Sequence, residues 1–114
     1  MADECIFCKI ASGKSPANIE YQDKDMVAFW DVNPKAKIHI LIVPKKHISS
    51  VVTLERTDEK LVGEMVLAAR QLARDKGLED DGYRLVINAG KHAGQVVEHL
   101  HLHLMGGGPL GSMG

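Results

Sequence analysis

At 114 residues, 45% hydrophobic and 25% charged, the chain has the length and balance of one domain and leaves no room for a second. Its 14 basic side chains stand against 15 acidic ones, for a formal net charge of -1, which excludes a broad basic field for nucleic acid; any nucleotide must bind in a pocket. Met1-Ala2-Asp3-Glu4 lacks the basic start of a secretory leader, and no apolar run approaches the roughly 20 residues that span a bilayer, so the chain reads as cytoplasmic, with no membrane partner.

Cys5 and Cys8 are too close to staple a fold; in a reducing compartment their C-x-x-C points to metal or redox chemistry, or caps a helix. Ile6, Phe7 and Ile10 recur at helical spacing, which predicts a short helix over 5–10, stopped by Ser12-Gly13-Lys14-Ser15-Pro16. Strands are predicted over 18–22 and 26–31, joined by a turn at Asp23-Lys24-Asp25. Residues 38–43 are apolar on both faces apart from His39, the pattern of a central strand covered on each side, and Pro44 closes it.

The clearest helix is predicted over 58–76. Leu61, Met65, Ala68 and Leu72 form its stripe, Val62, Val66, Ala69 and Ala73 broaden it, Thr57 is placed to cap it and Gly77 to end it. Strands over 83–88 and 96–105 follow, separated by a turn over 89–94. This order predicts an α+β domain: a mainly antiparallel five-stranded sheet with one long helix and one short N-terminal helix. The single domain takes in 1–114, with a glycine-rich flexible tail over about 106–114.

His99, His101 and His103 alternate with Leu100, Leu102 and Leu104. On a strand, that pattern puts the imidazoles on one face and the leucines in the core. A polar strand face or a metal site would also use histidines, but in-line side chains on one strand diverge too far for all three to ligate one ion at 2.0–2.1 Å. Upstream, Asn88-Ala89-Gly90-Lys91-His92-Ala93-Gly94-Gln95-Val96-Val97-Glu98 reads as a glycine-containing turn. At Gly94 backbone amides can approach an anion next to an imidazole nucleophile.

The run N-x-G-x-x-x-G-Q-x-V-x-H-x-H-x-H from Asn88 to His103 resembles the signature of the histidine triad (HIT) family, in its Hint-like branch. Cys5-Ile6-Phe7-Cys8-Lys9-Ile10, Phe29-Trp30-Asp31-Val32-Asn33-Pro34 and the stretch from His39 to His47 are similar to that family in the same order, so the resemblance covers nearly the whole chain. It implies a HIT-like fold, a homodimer, and hydrolysis of purine nucleoside phosphoramidates or related nucleoside monophosphate derivatives. The route implied is a covalent nucleotidyl-histidine on His101, whose other ring nitrogen donates to a backbone carbonyl and so fixes the tautomer; a neutral imidazole is a competent nucleophile at neutral pH. His103 is then expected on the phosphate oxygens and His39 behind the catalytic imidazoles.

By the same resemblance Asn88, Gly94, Gln95, Val96 and Val97 hold the phosphate of an AMP- or GMP-like ligand. Asp31, with Val32 beside it, takes the ribose, and Ile6, Phe7, Ile10 and Phe29 form an apolar slot for the base. Cys5, Cys8, His47 and His99 match the ligands of a structural zinc, one per chain, and no organic cofactor is implied. Two thiolates and two imidazoles make a closed tetrahedral set that supports a fold without an open catalytic position. The alternatives are a dinucleoside polyphosphate hydrolase, or a nucleotide-sensing scaffold with little turnover. Val96 stands where relatives carry Ser, Thr or Glu, which leaves only a backbone amide there. Glu98 falls on the leucine face by alternation, where a carboxylate needs solvent or a partner, and Gly108 occupies a common Arg position.

Overall fold

The computed structural model describes residues 5–112. Strands β1 (Ile19–Gln22), β2 (Met26–Trp30), β3 (Ile38–Pro44), β4 (Tyr83–Val86) and β5 (Leu102–Gly106) form one antiparallel sheet in the order β1-β2-β3-β5-β4. Helix α1 (Ile6–Ala11) precedes it and α2 (Glu59–Asp75) lies between β3 and β4. The strand that is apolar on both faces, β3, takes the central position, as its sequence demands. At the β1–β2 turn Asp23 Oδ1 accepts the N–H groups of Asp25 (2.8 Å) and Met26 (3.0 Å), which reverses the chain as an Asx turn.

Period-two alternation divides the core between the two faces of the sheet. Met26, Ala28, Ile40, Ile42, Leu102 and Leu104 pack against Met65, Ala69, Leu72 and Ala73 of α2. On the other face Val27, Phe29, Leu41 and Val43 meet Phe7 and Ile10 of α1. Fully burying one such side chain contributes about 1.5–3 kcal/mol, so the α2 face anchors the sheet and the smaller α1 face is left to carry a site. Among the described residues no helix is long and apolar enough to cross a membrane.

Five expectations are corrected. Thr57 is exposed and does not cap α2. The chain enters through a 3₁₀ turn, Arg56–Asp58, where Asp58 Oδ2 accepts the Glu55 N–H at 3.0 Å and Oδ1 accepts Lys46 Nζ at 2.8 Å. Asp58 reaches back to the preceding backbone and wins an ion pair that a Thr hydroxyl lacks. Val66 is 39% exposed, because it sits about 100° around the helix from Met65 and off the buried stripe. Gly77 does end α2, at φ 72°.

The histidine segment is a strand only from Leu102 onward. β4 stops at Val86, opposite His103, so earlier residues have no neighbour on that edge, and Gly90 and Gly94, both at φ 86°, turn the chain away. In place of a short turn, an irregular connection over 87–101 carries a 3₁₀ turn at Lys91–Ala93. Leu100 nonetheless docks, its N–H donating to Ile48 O at 2.6 Å, so the leucines stay in the core. Glu98 lies ahead of the strand and is exposed, which meets the need of its carboxylate for water. Gly106 closes β5 rather than opening the tail, and a Cβ there would meet Leu78 Cδ1 at 2.9 Å. Residues 1–4 and 113–114, including the last of the expected tail, lie outside the described residues.

Candidate active site and metal centre

His101 sits at the entrance to β5, 8% exposed, with its Nδ1 2.7 Å from the carbonyl oxygen of His99. A carbonyl can only accept, so Nδ1 carries the proton and Nε2 keeps its lone pair. Nε2 has no hydrogen bond among the described residues. Phe7 covers the ring edge-on at 5.2 Å between centroids, and Phe29 meets Phe7 at 5.4 Å. The expected base slot therefore begins directly beside the expected nucleophile. Ile10 is buried in the same cluster, whereas Ile6 is 45% and Val32 90% exposed.

A second chain of hydrogen bonds fixes His103. The Lys35 backbone N–H donates to His39 Nδ1 at 2.9 Å, so the His39 proton is on Nε2. His39 Nε2 lies 2.9 Å from His103 Nδ1 and 3.4 Å from Asp31 Oδ2, and the shorter contact goes to His103. His103 Nδ1 must then accept, and its own proton is on Nε2. This buried N–H has no partner among the described residues, a costly condition unless something else accepts from it. Its ring lies 4.9 Å from that of His101. One tautomer assignment therefore places a lone pair on His101 and, beside it, a hydrogen-bond donor on His103.

Burial, reinforced by the neighbouring His101 and His39, holds His103 at about 4, against 6.5 for a free imidazole. His39 is also lowered, mainly by burial, with Asp31 opposing. Both are therefore neutral at physiological pH, as the hydrogen-bond assignment requires. Asp31 holds its own loop, Oδ1 accepting the Asn33 N–H at 2.8 Å.

Val97, at the end of the glycine turn, packs against the α1-face cluster that holds Phe7, and Gln95 is engaged by backbone groups. Gln95 Oε1 accepts the Gly90 N–H at 2.8 Å, and Nε2 donates to Ser49 O at 2.7 Å and Val97 O at 3.0 Å. The amide is thus engaged at both ends, and it shapes the turn that carries Gly94 and Val97. Val96 is 90% exposed, and Asn88 is half-buried just after β4.

Cys5, Cys8, His47 and His99 converge, their ligating atoms all within 4.8 Å of one another. Cys5 Sγ to His99 Nδ1 is 3.3 Å, Cys8 Sγ to His47 Nδ1 3.2 Å, and Cys8 Sγ to His99 Nδ1 3.5 Å. A zinc tetrahedron with ordinary Zn–S and Zn–N bonds has S···N edges of about 3.5 Å, so the donor set fits that ion. His99 Nε2 donates to Pro44 O at 2.8 Å, which aims the Nδ1 lone pair at the thiols, the outer-shell bond that ligating histidines make. Cys5 is also the N-cap of α1, its Sγ accepting the Cys8 N–H at 3.4 Å, so the capping and metal readings of C-x-x-C coexist.

Asp31, His39 and His103 also lie within 4.8 Å of one another. His39 Nδ1 is taken by a backbone donor and Nε2 holds the proton, so this group offers no such ligand set.

Sequence reading brings these residues to two adjacent sites and, through the family resemblance, expects a backbone carbonyl behind His101, here that of His99, but it misses the Lys35 and Pro44 groups that orient the others. The Lys35 N–H and the carbonyls of Pro44 and His99 act through backbone atoms, which leave no residue-type signal. The diagnostic unit is a lone-pair histidine beside a donor histidine, backed by a relay on β3, next to a four-ligand thiolate–imidazole cluster. A family profile described as "Scavenger mRNA decapping enzyme C-term binding" matches residues 4–109. The chain is 44% identical to the purine nucleoside phosphoramidase of Escherichia coli (strain K12) over 113 residues, 99% of this chain and 95% of that protein. It superposes with a TM-score of 0.92 on the crystal structure of a HIT family hydrolase from Legionella pneumophila, at 44% identity over 93% of this chain and 95% of that one. A zinc-bound histidine triad family protein from Mycobacterium smegmatis gives 0.81 at 33% identity, over 93% and 76% of the two chains. The chain belongs to the histidine triad family, as a hydrolase with the HIT fold.

Proposed function

We propose that this chain cleaves purine nucleoside phosphoramidates and related nucleoside monophosphate derivatives through a covalent intermediate on His101. The observation that carries the reading is the pair of opposite tautomers, a free lone pair on His101 beside an unsatisfied N–H on His103. In the first step His101 Nε2 forms a bond to the α-phosphorus as the bond to the amine breaks, and the amine leaves with a proton from solvent. The imidazole becomes cationic, and its Nδ1–H bond to His99 O strengthens as it does so. His103 Nε2–H donates to a phosphoryl oxygen, and the amides from Gly94 to Val97 face the rest of the phosphate. Water then attacks the phosphorus and gives up a proton to solvent as the bond from phosphorus to Nε2 breaks, which releases the nucleoside monophosphate and restores neutral His101.

Asn88 steadies the phosphate turn, and Gln95 does so from within it. Asp31 takes the ribose, with Val32 as the exposed apolar rim of the slot formed by Ile6, Phe7, Ile10 and Phe29. The slot is generic for purines, so AMP- and GMP-like ligands both fit the reading. Cys5, Cys8, His47 and His99 would hold one structural zinc, which supplies a cross-link between α1 and the sheet. Because Phe7 lies between Cys5 and Cys8, that cross-link also fixes a wall of the base slot. Edge strand β4, with Leu85 37% exposed, is the surface through which two copies would join their sheets as a homodimer.

Incubation with adenosine 5′-phosphoramidate, beside a diadenosine polyphosphate and with His101→Ala in parallel, tests the proposal. Release of AMP from the phosphoramidate by the wild type alone is the expected result. Preferential cleavage of the diadenosine compound, or equal activity of the variant, would overturn it.

A further inference from the structure

Between the end of β5 and the segment leading into β3 lies a separate concavity of about 260 Å³. Lys35, Lys37 and Arg84 line it with Met105 and the chain over 108–112, and among the described residues its lining includes no carboxylate. Elsewhere Lys46, Arg56, Arg74 and Lys76 are matched with Asp58, Glu59, Glu79 and Glu20. Among the described residues the three lining cations have no such match. Arg84 Nη2 donates to Gly111 O at 2.7 Å, which holds the chain after β5 against the concavity and leaves its other N–H groups for a ligand. In a chain of net charge -1 this is a local concentration of positive charge with a shape.

Its position is set by the sheet register. Met105 is paired with His39 on one side and Arg84 on the other, and directly opposed residues share a face. Met105 also follows His103 by two residues on that face, about 7 Å farther along the strand. Lys35, whose N–H orients His39, joins the concavity to the histidine relay. At the opposite end of this line Phe7 covers His101. A nucleotide with its base against Phe7 and its phosphorus at His101 therefore has its remaining substituent free to run past His103 toward the three cations.

We propose that this concavity is an anion subsite for the departing portion of the substrate, and that it takes a carboxylate or phosphate carried on the leaving amine. The proposal rests on the nucleotidyl-transfer reading above and narrows its substrate class. Neutral leaving groups are still cleaved, because the cations lie beyond the histidines that do the chemistry.

Three adenosine 5′-phosphoramidates, of β-alanine, of β-alaninamide and of 2-aminoethyl phosphate, are compared for kcat/KM with the wild type, Lys37→Gln, Lys37→Glu and Arg84→Gln. The ratio of charged to neutral substrate cancels any general loss of folded protein. It is expected to exceed about fivefold in the wild type at low salt and to shrink in high salt. It falls about threefold in Lys37→Gln and Arg84→Gln and further in Lys37→Glu, while the amide substrate is turned over as before. The better of the two charged substrates tells whether carboxylate or phosphate is the preferred group. A wild-type ratio near one, or a ratio unmoved by all three substitutions, overturns the subsite and leaves nucleotidyl transfer standing. No turnover of any of the three by the wild type overturns the nucleotidyl-transfer reading, and the subsite falls with it.

Discussion

Lowering the pH should destabilise this protein through His103 in particular. A free imidazole titrates at 6.5, and His103 in the folded chain is held at about 4 by burial and by His101 and His39. Above pH 6.5 the folded and unfolded states are both neutral at this position, and nothing depends on pH. Between 6.5 and 4 the unfolded chain binds the proton and the folded chain does not, so stability falls as pH falls, by about 1.4 kcal/mol per unit. The whole interval amounts to about 3 kcal/mol, and partial access of water to a half-buried ring reduces this to about 2 kcal/mol. Urea unfolding at pH 7 and pH 5 of the wild type and His103→Gln, which has no proton to bind there, isolates the effect. Losses elsewhere, including any metal release, are common to both proteins. The wild type should lose about 1–2 kcal/mol more than the variant over this interval. Equal losses would refute the lowered titration of His103 that burial and its histidine neighbours impose.

Gln95→Ala removes the partners of the Gly90 N–H, Ser49 O and Val97 O together; a loss of about 1–2 kcal/mol in urea unfolding is expected, with a fall in kcat/KM as the turn proposed to hold the phosphate loosens. Phe7→Ala strips the cover from His101 and one wall of the proposed base slot, and calorimetry should show AMP binding weakened about tenfold. Elemental analysis of protein purified without added metal or chelator should find about one zinc per chain, and chelation should lower the melting temperature by about 5 °C or more.

The sheet was legible because its code is local. Alternating apolar residues and the doubly apolar 38–43 segment name the strands and the central one, and a burial pattern of period two needs no tertiary information. The three imidazoles and the four metal-type ligands were legible for a related reason, since few other duties call for those side chains at those spacings. What escaped is non-local or carried by backbone. Where β5 begins depends on how far β4 extends beside it, not on the continuing His–Leu alternation. Asp58 displaces Thr57 as the organiser of the α2 entry because Lys46, 12 residues earlier, is within 2.8 Å of it. The tautomers of His39 and His99 are set by Lys35 N–H and Pro44 O, backbone groups that only the fold can choose between; for His101 a backbone carbonyl was expected, and the fold supplies that of His99.

Trapping the intermediate tests the central claim most directly. The protein is mixed with adenosine 5′-phosphoramidate, quenched within the first turnovers under alkaline conditions that spare a phosphorus–nitrogen bond, and weighed intact by mass spectrometry. The account predicts a mass increase of one adenylyl group, located by fragmentation on His101 and missing from His101→Ala. An adenylyl group on another residue, or turnover with His101 never modified, would contradict it.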